Sequence, residues 1–236
     1  MSNATLEATV RTRRAALTLD VSLHIRAPWT VIFGPSGSGK TTLLRAIAGL
    51  VQCEESRIVL QGDDISTKPA HLRRIALVQQ RSTLFPHMTA WENILFSLRK
   101  RGLFSNQPHA EMEEAAAWME HFGVADTRTR MPREMSGGEQ HRVEIVRAIM
   151  SRPALLLLDE AFNGTDSALR GSLIARLKTW QTQCGATILS VTHDVAEAYT
   201  AADEVVLLRD GIVTAQGSAA EVLLEERLHL QHTLGY

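Results

Sequence analysis

The sequence predicts an α/β domain built on a mostly parallel sheet, and three observations carry that reading. An apolar run, Trp29–Phe33, stops at a glycine-rich turn, and Leu43, Leu44, Ile47 and Leu50 then recur at helical spacing over Lys40–Leu50. Further short apolar or β-branched runs at Ile75–Gln79, Leu155–Asp159 and Thr187–Val191 are separated by helical segments, as in a sheet covered on both faces. Residues 82–151 have a different texture, with helical patterns at Ala90–Arg101, Glu111–Phe122 and Gly138–Met150, and read as a helical subdomain inserted into the sheet domain.

Taken in chain order, the first run and the glycine-rich turn give strand, loop and helix. Thr89-x-x-Glu92 and Ser136-x-x-Glu139 have capping-box spacing and place two helix starts. Val205–Leu208, Asp210-Gly211 and Ile212–Thr214 predict a terminal hairpin, and Ser218-x-x-Glu221 opens a last helix. The expected organisation is one domain over 1–236. Its core covers about 1–81 and 152–217, the helical subdomain about 82–151, and the final helix about 218–236.

The chain has 236 residues, enough to bury a sizeable core. Lys and Arg total 25 against 26 Asp and Glu, so no basic excess points to nucleic acid or an anionic membrane. Cys53 and Cys184 are far apart and form no CxxC pair, which argues against a disulfide framework or a zinc site and fits a reducing cytoplasm. The basic residues of 1–14 are followed by no apolar core of a secretory signal. The longest apolar runs are far shorter than the roughly 20 residues of a spanning helix, so work at a membrane would require another chain to cross it.

Gly34-Pro35-Ser36-Gly37-Ser38-Gly39-Lys40-Thr41 satisfies G-x-x-x-x-G-K-[ST] in full, between a predicted strand and a predicted helix. Glycines permit a loop whose N–H groups turn inward on phosphate oxygens, and the following helix N-terminus adds positive potential. Lys40 would reach the β- and γ-phosphates, Thr41 would give a hydroxyl to Mg²⁺, and Thr42 closes the cradle. Leu155–Leu158 ends in Asp159 and Glu160, at the end of a parallel strand where ligands bind. Asp159 would hold Mg²⁺, directly or through water, and Glu160 would polarise the attacking water. By itself such a strand often just enters a turn; beside a complete phosphate loop the catalytic reading gains.

Met135-Ser136-Gly137-Gly138-Glu139 before a helix has two readings: a capped helix start with a tight glycine entry, or an anion site at a helix N-terminus. The phosphate loop favours the second.

In order and spacing, Gly34–Thr41, Met135–Glu139, Leu155–Glu160 and His193 in Val191-Thr192-His193-Asp194 resemble the ATPase subunits of ABC transporters over nearly the whole chain. The resemblance implies a P-loop nucleotide-hydrolase core with N-terminal antiparallel strands, and ATP and Mg²⁺ as cofactors. It implies that Gln80, before Leu84-Phe85-Pro86-His87, senses Mg²⁺ and the attacking water. It further implies that Asp166 occupies the D-loop position and that His193 touches the γ-phosphate. Ser136, Gly137, Gly138 and Glu139 of one copy would cover the nucleotide of the other. The implied partners are a second copy, integral membrane permease subunits and a solute-binding protein, with no nucleic acid. The implied location is the cytoplasmic face of the inner membrane, peripherally. The segment Leu84–Thr89 resembles importers, molybdate or another small oxyanion most, and Phe85, Pro86 and Met88 are expected to form a groove for a membrane subunit's helix, with Trp91 and Leu95 in the core. The alternative is a soluble ATPase of the same type acting on nucleic acid or ribosomes, which coiled-coil insertions or basic arms would accompany. A scaffold with little hydrolysis is disfavoured by Glu160 and His193.

The chain departs from the family pattern at several points. Met135, Glu139 and His141 replace the commoner Leu, Gln and Gln, and Asn163-Gly164-Thr165 replaces Ser-Ala-Leu before Asp166. No aromatic residue precedes Trp29 to stack on adenine, so Arg13 or Arg14 is expected to carry the base by cation–π contact.

Overall fold

The computed structural model describes residues 5–14, 17–99 and 108–225. Strands of two textures form two sheets. β1 (Leu6–Arg14) and β2 (Leu17–Ile25) alternate apolar and polar residues, with Leu19, Val21, Leu23 and Ile25 buried and the residues between them exposed. That period of two leaves one face to solvent. The opposite texture appears in β3 (Trp29–Phe33), buried at every position, after which α1 (Lys40–Ile47) turns Leu43, Leu44 and Ile47 inward. β4 (Glu55–Leu60) and the two-residue β5 (Asp63–Asp64) complete an antiparallel sheet in the order β2-β1-β4-β5.

β6 (Ile75–Val78) leads into three successive helices, α2 (Ala90–Arg99), α3 (Pro108–His121) and α4 (Gly137–Met150), before β7 (Leu155–Asp159) returns to the sheet. α5 (Ser167–Cys184), β8 (Thr187–Thr192), α6 (Val195–Ala201), β9 (Glu204–Arg209), β10 (Ile212–Gly217) and α7 (Ala219–Val222) follow. The six-stranded sheet runs β10-β9-β3-β8-β7-β6, parallel except for the antiparallel hairpin partner β10. Alternate residues of one strand enter different cores. Leu156 and Leu158 of β7 pack with α2–α5, while Leu155 and Leu157 pack with α1 and the antiparallel sheet. A near-continuous apolar strand is what two covered faces require.

The expected elements are present, with shifted bounds. α1 ends at Ile47 because the Gly49 and Leu50 N–H groups fold back onto the Ala46 and Arg45 carbonyls, which leaves Leu50 outside the helix and 55% exposed. α3 begins before Glu111, at a proline, whose missing N–H costs nothing in the first helical position. Both central capping boxes form: Glu92 N–H donates to Thr89 Oγ1, and Glu139 N–H to Ser136 Oγ. Residues 100–101 of the predicted second helix and 226–236 of the predicted last helix lie outside the described residues.

Candidate functional site

The phosphate-type loop is shaped by contacts that only glycine tolerates. A Cβ on Gly34 would sit 2.1 Å from the Leu208 carbonyl oxygen, and Gly39 holds φ 103° directly ahead of α1. Gly39 offers α1 no side-chain cap, so the first N–H groups of that helix, on Lys40, Thr41 and Thr42, have no intrahelical acceptor. Among the described residues, neither Gly37 nor Gly39 donates its N–H to a protein acceptor. The Ser38 hydroxyl is buried with no hydrogen-bond partner. A concave set of unmatched donors at a helix N-terminus fits a polyphosphate.

Lys40 completes the cradle. The residue is 6% exposed, and its ammonium donates to the Gly34 and Pro35 carbonyls, both at 2.8 Å. Burial pushes its pKa below the ordinary lysine value, although Glu160 and Asp159 pull it upward. Thr41 Oγ1 donates to Asp159 Oδ1 at 2.9 Å, which brings together the two oxygens that could hold a divalent cation. Burial raises the Asp159 pKa and the Thr41 hydroxyl opposes that shift. A cation at this carboxylate would favour its ionised form.

Glu160 stands where β7 leaves the sheet, with φ 51° and its N–H bonded to the Val191 carbonyl at 3.0 Å. The left-handed conformation costs a side-chain-bearing residue about 1–3 kcal/mol and aims its carboxylate over the loop. Three side chains from three segments converge on that carboxylate. Gln80 Nε2 and Asn163 Nδ2 donate to Oε2 at 2.9 and 2.7 Å, and His193 Nδ1 lies 3.1 Å from Oε1. The cavity they share, about 480 Å³, is also lined by Lys40, Thr41 and Leu17. It is not the largest in the molecule, but it collects the loop, Gln80, Glu160 and His193, with Asp159 joined to it through Thr41.

A second set of charges lies behind His193. Arg170 bonds Asp194 and its Nη1 is 4.0 Å from Glu197 Oε2. Burial alone would raise Asp194, but the Glu197 N–H and the Arg170 guanidinium outweigh it and hold the pKa below the usual value. Glu197, 2% exposed, is pushed up to about 7 by burial, reinforced by Asp194 and Glu160.

The structure therefore joins Gly34–Thr42, Gln80, Asp159, Glu160 and His193 in one place. It does not bring Ser136, Gly137, Gly138 and Glu139 there: they form the exposed start of α4, where Ser136 and Glu139 bond each other. Asp166 is likewise absent from the cavity and caps α5 through the Leu169 N–H. Arg13 is exposed and does not line the cavity, whereas Leu17 does; the side chain of Arg14 lies outside the described residues. Asn163, singled out only as a departure from pattern, turns out to hold Glu160, and no local sequence signal marked Leu17, Arg170 or Glu197. Trp91 and Leu95 pack against the core as expected. Of Phe85, Pro86 and Met88, only Phe85 lines the neighbouring groove, because the turn that follows exposes Pro86.

Residues 19–163 match the family model described as ABC transporter. The chain is 42% identical over 194 residues to the spermidine/putrescine import ATP-binding protein PotA of Haemophilus influenzae, covering 82% of this chain and 51% of that protein. It is 41% identical over 216 residues to the Fe(3+) ions import ATP-binding protein FbpC of Streptomyces coelicolor, covering 91% of this chain and 61% of that one. The chain thus spans about half the length of the PotA relatives. A solved structure of the ATP binding subunit of an ABC transporter superposes with a TM-score of 0.82 at 25% identity, covering 95% of this chain and 94% of that one. No helix among the described residues is long and apolar enough to cross a membrane.

Proposed function

This chain belongs to the ABC transporter family, and from that premise we propose that it is the ATP-hydrolysing subunit of an importer, working at the cytoplasmic face of a membrane crossed by partner chains. The observation that carries the reading is the Glu160 carboxylate held by Gln80, Asn163 and His193 directly over a complete phosphate loop. Lys40 exchanges the Gly34 and Pro35 carbonyls for β- and γ-phosphate oxygens of ATP. Thr41, Asp159 and Gln80 are the residues that would hold Mg²⁺, which supplies charge neutralisation on the phosphates when bound. Glu160 takes the proton of the attacking water, and its three partners fix the direction of its lone pairs. Once Glu160 carries that proton, its Oε1 can donate to His193 Nδ1, and the Nε2–H tautomer of His193 then donates to the γ-phosphate.

The start of α4 supports a second copy as the closing partner. A Cβ on Gly137 would meet nothing within 4 Å, and one on Gly138 only the end of the Arg142 side chain at 3.4 Å. The chain's own packing therefore has no use for glycine there; a γ-phosphate approaching from the Lys40 site of another copy does. Asp166, at the N-terminus of α5, is the other residue we assign to that interface.

For the membrane subunits we propose the groove of about 880 Å³ between α2, α4 and the β6 edge of the sheet. Phe85 and Phe96 stack edge-on at 4.7 Å in its wall, and its rim carries Leu50 and Leu72, 55% and 58% exposed. An amphipathic helix of a membrane partner suits those surfaces. The names of the relatives support an importer and do not favour molybdate or another oxyanion; the solute and its binding protein are set by chains other than this one.

Complementation tests the composite site. Lys40→Ala and Ser136→Arg homodimers should each be nearly inactive, while a purified heterodimer of the two restores one site, with intact Lys40 from one chain and intact Ser136 from the other. Heterodimers that close on ATP yet hydrolyse no faster than either homodimer would defeat the reading.

A further inference from the structure

A second cavity, about 830 Å³, lies at the other end of the parallel sheet, among the residues that precede β6, β7 and β8. Arg74 stands immediately before β6, Ala154 before β7 and Ala186 before β8, whereas the acidic pair and His193 lie at the opposite ends of those strands. One strand length, roughly 16 Å for five residues, separates it from the nucleotide site. Its walls come from different parts of the fold: Glu114, Trp118 and His121 from α3, and Arg176 and Trp180 from α5. The volume is that of a small-molecule site.

Its charges do not balance. Arg74, Arg152 and Arg176 face one carboxylate, Glu114. Arg152 Nη2 pairs with Glu114 Oε2 at 2.9 Å, and Arg176 Nη1 donates to His121 Nδ1 at 3.0 Å. The Nε of Arg176 is buried and donates to nothing, and the side chain of Arg74 has no hydrogen bond or ion pair among the described residues. Buried donors are ordinarily matched, so an unmatched guanidinium N–H on one wall residue, with an unpaired arginine side chain lining the same cavity, marks a place where an acceptor is expected. Two indoles supply the apolar part of the wall, Trp180 buried and Trp118 stacked edge-on to His121 at 5.5 Å.

We propose that this cavity binds a small carboxylate with a flat apolar body, its carboxyl group meeting Arg74 and Arg176 and its body lying between Trp118 and Trp180. The planar guanidinium forks match a carboxylate, and a neutral flat molecule would leave the cations unserved. Such a ligand touches α3 and α5 together and is independent of nucleotide.

Fluorine NMR on the full chain, with para-trifluoromethylbenzoate as probe and para-trifluoromethylbenzamide as its uncharged twin, tests the assignment. With saturating Mg-ATP present, the benzoate should bind with Kd below about 1 mM, the range open to a ligand of this size. Removing a charged hydrogen-bonding partner by Arg176→Gln or Arg74→Gln should each weaken it about tenfold, and the benzamide should bind about tenfold more weakly than the benzoate. Arg74 is exposed and its side chain is unpaired among the described residues, so its variant tests the site even if Arg176→Gln fails to fold. The proposal is overturned by absence of benzoate binding, by equal binding of benzoate and benzamide, by displacement with ATP, or by an Arg74→Gln variant that binds like the parent.

Discussion

Two helix N-termini in this chain are led in by glycine, and they are finished in opposite ways. At α1 the N-cap is Gly39, with no side-chain cap, and the free donors face a buried lysine. At α4 Ser136 and Glu139 cap each other, and the glycines face solvent. The first end is incomplete as a helix start and complete as a site; the second is complete as a helix start and has no site around it within one chain. Anion binding at a helix N-terminus needs donors that the fold has not already used. For α1 that condition is met inside the chain, and for α4 it is met only at its exposed glycines, from outside.

The sharpest way to break this contrast is at Glu160, which belongs wholly to the first site. A positioned general base contributes about 10²–10⁴-fold, or roughly 3–5 kcal/mol, so Glu160→Gln should hydrolyse ATP slower by that factor. Nucleotide binding should persist, because the Lys40 and Thr41 contacts remain. Turnover within a few fold of the parent, measured by phosphate release, would remove Glu160 from that role.

The rise of Glu197 to about 7 asks whether the support behind His193 is strained. A carboxyl whose folded pKa lies above its unfolded value near 4.5 favours the folded state fully below pH 4.5. That advantage falls between pH 4.5 and 7 and is gone above. The span of about 2.5 units corresponds to about 3 kcal/mol. Glu197→Gln carries no such titration, so thermal melts should show it gaining on the parent by up to about 3 kcal/mol between pH 5 and pH 8. A constant difference between the two proteins across that range would mean that Glu197 titrates normally.

Gly39→Ala and Gly137→Ala address the two helix starts directly. At Gly39 a Cβ would need φ 103° and would lie 2.9 Å from Leu19 Cδ1, so the variant should lose about 1–3 kcal/mol of stability. At Gly137 nothing obstructs a Cβ, and helix propensity should leave stability unchanged or raise it by up to about 1 kcal/mol. Its cost should appear only in dimer-dependent hydrolysis. If Gly137→Ala melts earlier than the parent, its glycine serves the fold of one chain after all.

Much of this was legible because the residues concerned are neighbours in sequence. The phosphate loop, the Ser136–Glu139 box and the Asp210-Gly211 hairpin are local patterns, and each stands where its spacing predicts. What was not legible depends on distance along the chain. Asn163 holds Glu160 only because the backbone turns at Glu160, and Arg170 meets Asp194 only because α5 and the loop after β8 are packed side by side. The adenine contact depends on distance in the same way: the strand exposes Arg13, the next strand delivers Leu17 to the cavity, and the side chain of Arg14 lies outside the described residues. The buried stripe of α5, Leu173, Ile174, Leu177 and Trp180, is diluted by polar residues on its remaining faces and gave no residue-level helix signal.

The smallest effect concerns Glu139, which puts a carboxylate where a γ-phosphate from a second copy is proposed to arrive. The Ser136 N–H and hydroxyl, with Arg130 at 3.6 Å, hold Glu139 below the usual glutamate pKa, so it is charged throughout the working range. Glutamine keeps the capping box, since its side-chain oxygen accepts from Ser136 N–H as the carboxylate does, and stability should change little. Removing the charge relieves like-charge repulsion at an exposed, screened position, so ATP-driven dimerisation should tighten only about two- to fivefold. The gain should shrink with added salt, because screening already weakens the repulsion it removes. An effect on dimerisation that is absent at low salt, or one that weakens it, would mean that no phosphate comes near this end of α4.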